Sequence, residues 1–215
     1  MATYLQLVND VLARLREQAV GTVSANAYSS LIGKFVNDSK RQVEDAWNWE
    51  ALHSTLTVTT AAGTSNYTVT GIGRRFKNVT VNDDTNDTRL LNVPNQWIRD
   101  QQQLTTTTNA NPAYYAWNGT DGTDTKIELF PTPNGTYSIK VNAYVPQVDL
   151  SADGDVLTVQ SEAVIMGAYA RALVERGEDG GLNSSEAYQM FKSILSDQIA
   201  LESSNFIEND CWVAV

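Results

Sequence analysis

The hydrophobic period of this chain changes twice, and that change constrains the fold more than any other feature. From residue 4 to about residue 47, apolar side chains recur every three or four positions, as in an amphipathic helix. From residue 52 to residue 145 they alternate with polar ones, as in half-buried strands, and after residue 160 the helical period returns. The sequence therefore predicts two helices, a β region of roughly ninety residues, and two more helices.

The first helix is predicted over residues 4–18 and the second over residues 25–47. Gly21 is expected to end the first helix, because glycine favours the left-handed conformation found at helix C-termini. Thr22 or Ser24 is expected to cap the second helix by accepting a hydrogen bond from a free backbone N–H. Each helix carries one apolar stripe, so both are expected to pack on other elements.

The third helix is predicted over residues 162–176, with Gly177 as its C-cap. Ala163 and Gly167 lie four positions apart and therefore share one face of this helix. Two small residues at that spacing allow another helix to approach closely. We expect the partner to be a helix of the same bundle.

The fourth helix is predicted to begin at Asn183 or Ser184, either of which can act as an N-cap, and to end near Glu202. Its apolar residues recur at helical spacing and are expected to form its packing side. They are Tyr188, Phe191, Ile194, Leu195, Ile199 and Leu201.

The region between the two helix pairs predicts short strands joined by turns. STLTVTT and NYTVT, separated by the Gly-containing AAGTS, are typical of a β-hairpin. Further strands are expected around residues 79–81, 90–93, 114–117, 127–130 and 137–145. Asn-Gly pairs at 118–119 and 134–135 favour tight turns.

A helical segment and a polar loop interrupt this β region. PNQWIRDQQQL, residues 94–104, begins with proline, which is favoured at the first position of a helix, and is expected to form one or two helical turns. The TTTTNANP segment that follows is expected to be an exposed loop. Such a loop is either a mobile connector or a loop that contacts another protein.

Together these elements predict an α+β fold. Residues 1–50 and 148–202 are expected to form one four-helix bundle from the N- and C-terminal helix pairs, because helices separated by an insertion most economically pack together. Residues 51–147 are expected to form an inserted lobe, an antiparallel β-sandwich or barrel-like arrangement. Residues 203–215 are expected to form an extended C-terminal arm.

Histidine and cysteine, the residues most often used in catalysis and metal binding, each occur once, as His53 and Cys211. A zinc site needs about four Cys, His or acidic ligands. A nucleophile activated by histidine would have to use His53, which lies at a predicted strand start. GIGRR lacks the third glycine and the following helix of a phosphate-binding loop. The sequence thus predicts no catalytic residue, no metal site and no cofactor, and no enzyme.

The segment DLSADGDVLTVQ, residues 149–160, partly matches a calcium-binding loop. Asp149, Asp153 and Gly154 fit the pattern. Ser151 stands where an acid is usual, and Gln160 stands where a bidentate Glu is needed. A turn rich in Asp before a helix is therefore the favoured interpretation.

Acidic residues are concentrated in the last third of the chain. Residues 147–215 contain twelve Asp/Glu and three Lys/Arg, a net charge of −9 out of −10 for the whole chain. Such a surface repels phosphate backbones, so it does not bind nucleic acid tightly, although it allows DNA to slide past.

No apolar run in the sequence approaches the ~20 residues that cross a bilayer. The first ten residues also lack the basic and apolar regions of a signal peptide.

The segment FIENDCWVAV, residues 206–215, is unusually apolar for a chain end. Exposed apolar side chains need a surface that receives them. The acidic step at residues 208–210 breaks any period continuous with the fourth helix, which favours a receiving surface on another protein rather than on the chain's own helices. A buried Trp is a common interface anchor, so Trp212 is the expected one.

Four segments in this order resemble the head-to-tail adaptors of tailed bacteriophages, the family of tail tubular protein A. The segments are LVNDVLARLRE with the later WNWEAL, TLTVTTAAGTSNYTV, IELFPTPNGTYSIKVNAYVPQ and EAVIMGAYARAL. They cover nearly the whole chain and match the family in layout. The chain departs from it in its short, neutral β lobe and its apolar terminus.

The resemblance implies a structural, non-enzymatic virion protein of the neck and tail. Such adaptors form a ring, usually of twelve subunits, beneath the phage portal protein. The ring gives the tail tube or nozzle a docking face and passes DNA through its lumen without sequence-specific binding. The resemblance also implies assembly in the host cytoplasm, no membrane partner, and a role in DNA ejection.

Three groups of residues acquire expected roles from this resemblance. The C-terminal arm is expected to dock into a groove of the portal or of an adjacent subunit through Phe206, Ile207, Trp212, Val213 and Val215. The tail-facing loop is expected to comprise Trp97, Thr105, Thr106, Thr107, Thr108 and Asn109. The channel-facing acids are expected to be Asp179, Glu186, Asp197 and Glu202, the alternative being an ordinary solvated surface.

A different class of function is a carbohydrate- or receptor-binding β module. Trp97, Tyr114, Tyr115 and Trp117 offer an aromatic platform for a sugar. Alternation places Tyr115 and Trp117 on one face of their strand and Tyr114 on the other, so at least one set is expected in the core. A third alternative is a scaffold unrelated to phage that binds a partner through its helices.

Overall fold

We analysed a computed structural model that describes residues 2–104, 108–177 and 182–205. Five α-helices and eight strands lie within those residues, which confirms the α+β class. In chain order the elements are α1 (Tyr4–Arg14), α2 (Ala27–Ala46), β1 (His53–Thr59), β2 (Asn66–Thr68), β3 (Lys77–Asp83), β4 (Thr88–Arg89), β5 (Leu91–Asn92), α3 (Asn95–Leu104), β6 (Tyr114–Thr120), β7 (Thr125–Phe130), β8 (Ser138–Tyr144), α4 (Ser161–Arg176) and α5 (Leu182–Ser203).

The chain divides into two compact units. The helical unit comprises residues 1–51 and 147–215, and the β unit comprises residues 52–146. Within the helical unit, α4 contacts α1, α2 and α5, and α1 also contacts α2.

Helix α1 begins in a capping box in which the Thr3 hydroxyl accepts from the Gln6 amide and the Gln6 side chain accepts from the Thr3 amide. The prediction that it runs to residue 18 is wrong, because α1 ends at Arg14. The side chain of Asn9 bonds both the N–H and the C=O of Val20, at 2.8 and 3.1 Å, and this folds the following residues back on the helix. Gly21 therefore plays no part in ending α1.

Helix α2 is capped by Asn26 and not by the predicted Thr22 or Ser24. The Asn26 side chain accepts from the Ser29 amide at 2.7 Å, and the Ser29 hydroxyl accepts from the Asn26 amide at 3.2 Å. Asn is among the strongest N-capping residues, so the helix starts at the residue that follows Asn26, which is Ala27.

Helix α4 ends as predicted at Gly177, which has a φ of 64° in the left-handed region. Ala163 and Gly167 are both fully inside the helical unit. A Cβ on Gly167 would lie 3.0 Å from the Ser39 hydroxyl of α2 and 3.2 Å from the Phe191 ring of α5. The small-residue face therefore lets two neighbouring helices approach α4.

Helix α5 begins at Leu182, so neither Asn183 nor Ser184 caps it as predicted. One face is buried, and it carries Ser184, Ala187, Phe191 and Gln198. Tyr188 and Leu201, which the apolar pattern assigned to the packing side, are 40% and 63% exposed. The apolar residues of α5 extend around more of the helix than α4 covers.

The β unit contains two four-stranded sheets, in the orders β1-β8-β3-β4 and β2-β7-β6-β5. The predicted hairpin is wrong: β1 pairs with β8 and β2 pairs with β7, in different sheets. This separation buries Val58 and Val69 in one shared core, whereas an isolated two-stranded hairpin is only marginally stable.

Neither sheet closes into a barrel, which corrects the barrel-like alternative. The expectation of a wholly antiparallel lobe is also wrong, since β5 pairs with β6 in parallel. The parallel strand β5 follows a change of sheet at Leu90. This residue is buried between β4 and β5, and its N–H donates to the Val81 carbonyl. At this point the chain leaves the first sheet and joins the second.

The Asn118–Gly119 pair does not form the predicted turn. It lies within β6, where the register with β7 shifts and Gly119 adopts a φ of 71°, the geometry of a β-bulge. The turn follows at Asp121, whose carboxylate accepts from the Thr123 and Asp124 amides.

Helix α3 is longer than the one or two turns predicted for it, with ten residues.

A buried ion pair holds the segment that follows the β unit against α2. Lys40 and Glu44 are fully buried and 3.3 Å apart. The Lys40 ammonium also donates to the Gln147 carbonyl at 2.6 Å, and Glu44 accepts from the Gln147 amide at 3.1 Å. Asn37 bonds both the N–H and the C=O of Leu150, which fixes the same segment three residues later.

Candidate functional site

Helix α3 lies on the second sheet of the β unit and carries Trp97. The Trp97 ring packs 5.0 Å from the Tyr114 ring and 5.5 Å from the Phe130 ring, measured between centroids. All three rings are half-buried. This aromatic cluster fixes the helix that precedes the tail-facing loop.

Glu128 is the second anchor of α3. Glu128 lies in strand β7, and its carboxylate is directed towards α3. Its side chain is only 4% exposed. Gln102 Nε2 donates to one carboxylate oxygen at 2.9 Å, and Asn118 Nδ2 donates to the other at 2.8 Å. Arg99 forms an ion pair with the same carboxylate at 3.5 Å. One buried acid therefore binds the last turns of α3 to the sheet.

The loop expected to face the tail follows α3, which ends at Leu104, whereas Trp97 lies within α3 itself. Residues 105–107 lie outside the described residues, so Thr105, Thr106 and Thr107 stay a prediction. Thr108 and Asn109 are exposed. At Ala110 the chain is fixed again, because its N–H donates to the Thr132 carbonyl at 2.9 Å.

The four aromatic residues considered as a sugar platform do not share one surface. Tyr115 is 3% exposed, belongs to the core, and its hydroxyl accepts from Asn78 at 2.6 Å. Trp117 packs against that core and against Phe76. Trp97 and Tyr114 contact each other beneath α3 instead. Tyr115 thus lies in the core, as the alternation of its strand predicts for at least one set of these rings.

Three of the four acids expected to face the channel lie in the described part of α5. Glu186 and Asp197 are exposed and eleven residues apart, which is three helical turns, so they share one side of the helix. Glu202 is half-buried, and its carboxylate accepts from the Glu50 amide at 2.8 Å. Asp179 lies outside the described residues. Two of the acids are therefore available to solvent together, and Glu202 has a structural contact.

The calcium-like segment uses its acids to bind backbone amides. Asp153 accepts from the Val23 amide at 2.9 Å, and Asp155 accepts from the Ser151 and Ala152 amides at 2.7 and 2.8 Å. Because of these hydrogen bonds, the pKa of each of the two carboxyl groups is lower than the ordinary value for aspartate. Among the described residues, no group of three or more His, Cys, Asp or Glu is arranged to hold a metal ion.

The C-terminal arm, including Phe206, Ile207, Trp212, Val213 and Val215, lies outside the described residues. Helix α5 ends at Ser203, and the Asn205 amide donates to the Glu202 carbonyl at 3.0 Å. The arm therefore starts from the end of α5.

A cleft of about 710 Å³ lies in the helical unit around Arg176. The Arg176 guanidinium donates to the Tyr28 hydroxyl at 2.9 Å, stacks over the Tyr28 ring and pairs with Glu17. The hydrogen bond with Tyr28, followed by that with Glu17, raises the pKa of Arg176. Sequence reasoning did not single out this cation, because the helical period predicts its position but not its partners.

The family model for the SU10 adaptor protein matches residues 2–207. The chain belongs to this family. SU10 adaptors are head-to-tail adaptors of phages, so the resemblance drawn from the four sequence segments is confirmed. The match spans both the helical unit and the β unit.

Membership makes this adaptor a component of the virion neck that associates with portal and tail proteins. The family is one of structural proteins and is normally non-enzymatic. None of the curated proteins compared with the adaptor matches it significantly. No helix among its described residues combines the length and apolar character needed to cross a membrane.

Proposed function

We propose that this SU10 adaptor forms a closed ring, of twelve subunits, beneath the phage portal, joins the head to the tail tube or nozzle, and lets DNA pass through its centre. The family match over residues 2–207 is the observation that carries the proposal. A homomeric ring uses heterologous contacts, in which one face of each subunit meets a different face of the next. The helical unit, which we propose to be a four-helix bundle, and the β unit offer such different surfaces.

The tail-facing loop is the part of the β unit that we assign to the tail. Glu128 and the Trp97 cluster hold α3 on its sheet, and Ala110 is hydrogen-bonded on the other side of the loop. Thr108 and Asn109 are exposed between these two fixed points. A short polar loop held at both ends loses little conformational entropy when it binds a partner.

The exposed acids of α5 are the part of the helical unit that we assign to the DNA channel. Glu186 and Asp197 point to one side of α5 and add to the net charge of −9 in residues 147–215. A negatively charged wall repels the DNA phosphates, so that DNA slides through without condensing on the protein.

The C-terminal arm completes the proposed assembly by docking on a neighbouring molecule. Its apolar residues follow α5, whose own apolar residues Met190 and Leu201 are 57% and 63% exposed. In a ring, many copies of a weak arm contact act together, so modest affinity for each arm gives a stable assembly.

The copy number tests this proposal. We expect light scattering of a mixture of the adaptor with its portal to show a complex heavier than the portal by the mass of twelve adaptor chains. Mixtures in which the portal binds no adaptor, at concentrations well above those of assembly, would contradict the proposal.

A further inference from the structure

A second cavity in the helical unit has features that the proposed function does not use. It holds about 420 Å³ and is lined by Gln42, Ala170, Arg171, Val174, Ser184 and Tyr188. Its volume is within the range of pockets that bind ligands or large side chains. Val174 and Tyr188 at its edge are 68% and 40% exposed, a high exposure for apolar side chains on a packed helix pair.

Arg171 is the charged group of this pocket. Its guanidinium donates to the Ser39 hydroxyl at 2.7 Å, the Gln42 side-chain carbonyl at 2.8 Å and the Gly167 backbone carbonyl at 3.2 Å. None of these acceptors carries a charge, and no carboxylate lies within ion-pair distance of Arg171 among the residues that the structure describes. These three hydrogen bonds hold the half-buried guanidinium of Arg171 in place, but they do not compensate its positive charge.

The distribution of charge around the pocket is the opposite of that in the surrounding sequence. Residues 147–215 contain only three cations, Arg171, Arg176 and Lys192. Arg176 is paired with Glu17. Arg171 lines the pocket, and Lys192 does not line it but has its ammonium 4.9 Å from the centre of the ring of Tyr188, which does. A basic and apolar pocket in an acidic region is complementary to an acidic and apolar peptide.

We propose that this pocket binds the segment Glu208–Trp212 of a second copy of the adaptor. The carboxylate of Glu208 or Asp210 pairs with Arg171, and Trp212 packs over Val174 and Tyr188. Arg and carboxylate groups form strong, directional hydrogen bonds, and Trp adds a large apolar contact. The inference rests on the proposed ring and specifies one of its subunit contacts.

Chain length favours a second copy over the chain's own arm. About 22 Å of helix separates Tyr188 from Ser203 at the end of α5. The five residues that follow Asn205, up to Asp210, span at most ~18 Å when fully extended. The backbone at the acids of the arm therefore falls short of the level of Tyr188 on its own helix, even if the chain reverses at once. An acid from a neighbouring subunit has no such limit.

The single cysteine of the adaptor, Cys211, makes this contact testable by cross-linking. In the variant Val174→Cys, a short bis-maleimide joins position 174 of one chain to Cys211 of the next if the arm occupies the pocket. We expect denaturing gels to show a ladder of dimers and higher oligomers from adaptor assembled with the portal. Lys34→Cys, at an exposed site on α2, is the matched control and is expected to give no ladder. Adding Cys211→Ser to Val174→Cys must abolish the product.

Charge variants test the role of Arg171 in the same cross-link. Arg171→Glu is expected to abolish the ladder, and its folding is checked by its melting temperature. Glu208→Gln with Asp210→Asn removes the same pairing from the arm side without altering the described helices, and is expected to have the same effect. A ladder unchanged by the arm variant would contradict the assigned pairing.

The remaining outcomes separate this inference from the ring proposal. Portal-bound rings without a 174–211 cross-link would overturn the inference and leave the ring intact. A 174–211 product that migrates as a monomer would show the pocket filled by the chain's own arm and would overturn the inference too. If no rings form but two chains are joined at these positions, the arm contact is supported and the ring proposal fails.

Discussion

Lys40 and Glu44, one turn apart on α2, form an ion pair with 3.3 Å between Nζ and Oε1 and no solvent exposure of either side chain. Removing two charges from water costs several kcal/mol per ion, so such a pair persists only when further hydrogen bonds satisfy both groups. Here Gln147 provides them, with its carbonyl on Lys40 and its amide on Glu44. The pair thereby fixes the chain where it re-enters the helical unit.

Lys40→Met is expected to lower the free energy of unfolding by about 3–5 kcal/mol, because the buried Glu44 carboxylate loses the cation of its ion pair. Lys34→Met, an exposed site on the same helix, is the matched control and should change it by less than ~0.5 kcal/mol. Urea unfolding of both variants measures the difference. Equal stabilities would contradict the structural role of the pair. Adding Glu44→Leu to Lys40→Met should recover part of the loss, because both charges are then absent.

The acids in residues 149–155 are expected to make a contribution to the stability of the folded protein that is lost at low pH. Backbone hydrogen bonds lower the pKa of Asp155 in the folded protein, so its contribution is complete above the unfolded pKa of about 3.9. It is lost as the pH falls through the lower, folded pKa. Asp155→Ala should therefore melt below the unmodified adaptor at pH 7, and the gap in melting temperature should close as the pH falls from the unfolded pKa through the lower, folded pKa. A gap that is independent of pH would exclude this cause.

Glu128→Ala is expected to destabilise the β unit by about 2 kcal/mol, since the half-buried amide groups of Gln102 and Asn118 lose a charged acceptor. Glu128→Gln keeps one carbonyl acceptor and should lose less. If the tail-facing loop binds the tail, Glu128→Ala should also weaken tail attachment in a pull-down assay. Gln96→Ala, at an exposed position of α3, serves as the control. Normal attachment by Glu128→Ala would argue against a role for α3 and its loop.

Gly167→Val is expected to destabilise the helical unit by about 1–3 kcal/mol through overpacking, although valine has a higher helix propensity than glycine. Its side chain would press on Ser39 and Phe191 from the closely packed face of α4. Val174, on the same helix, is 68% exposed, so Val174→Ala should have little effect. Thermal unfolding distinguishes the two. A Gly167→Val variant as stable as Val174→Ala would contradict the close helix packing.

Glu186→Lys with Asp197→Lys is expected to leave folding unchanged and to hinder DNA passage, because two cations replace two anions on one side of α5. The defect should weaken at higher salt, since screening reduces attraction to phosphate. Asp10→Lys with Glu175→Lys makes the same change of charge at other exposed sites and should have a smaller effect. Ejection assays at two salt concentrations measure both. Normal ejection by the first pair would reduce these acids to an ordinary solvated surface.

The helical period and Gly177 sufficed to predict four of the five helices and the end of α4, because both depend on local spacing. Local spacing was insufficient where a long-range contact competes with it. Asn9 binds Val20 and shortens the helix predicted to reach residue 18, and Asn26 provides a better cap than Thr22. In the β unit, alternation located the strands but not their partners. The hairpin prediction failed because β1 and β2 each pair with a strand far along the chain.

The buried charges were the least predictable part of the fold and of its candidate surfaces. Lys40 and Glu128 look like surface residues in the sequence, because lysine and glutamate are almost never buried unless paired. Their partners, Gln147 and Gln102, lie more than twenty residues away and have no recognisable motif. Arg171 is similar, since only the packing of α2 on α4 shows that its acceptors are neutral.

Single-particle electron microscopy of the adaptor mixed with its portal tests the central claim most directly. The account predicts a closed ring of twelve adaptor subunits on one face of the portal, with a continuous central channel. Adaptor chains bound singly at the portal's periphery, or a layer of adaptor that closes the channel, would contradict it.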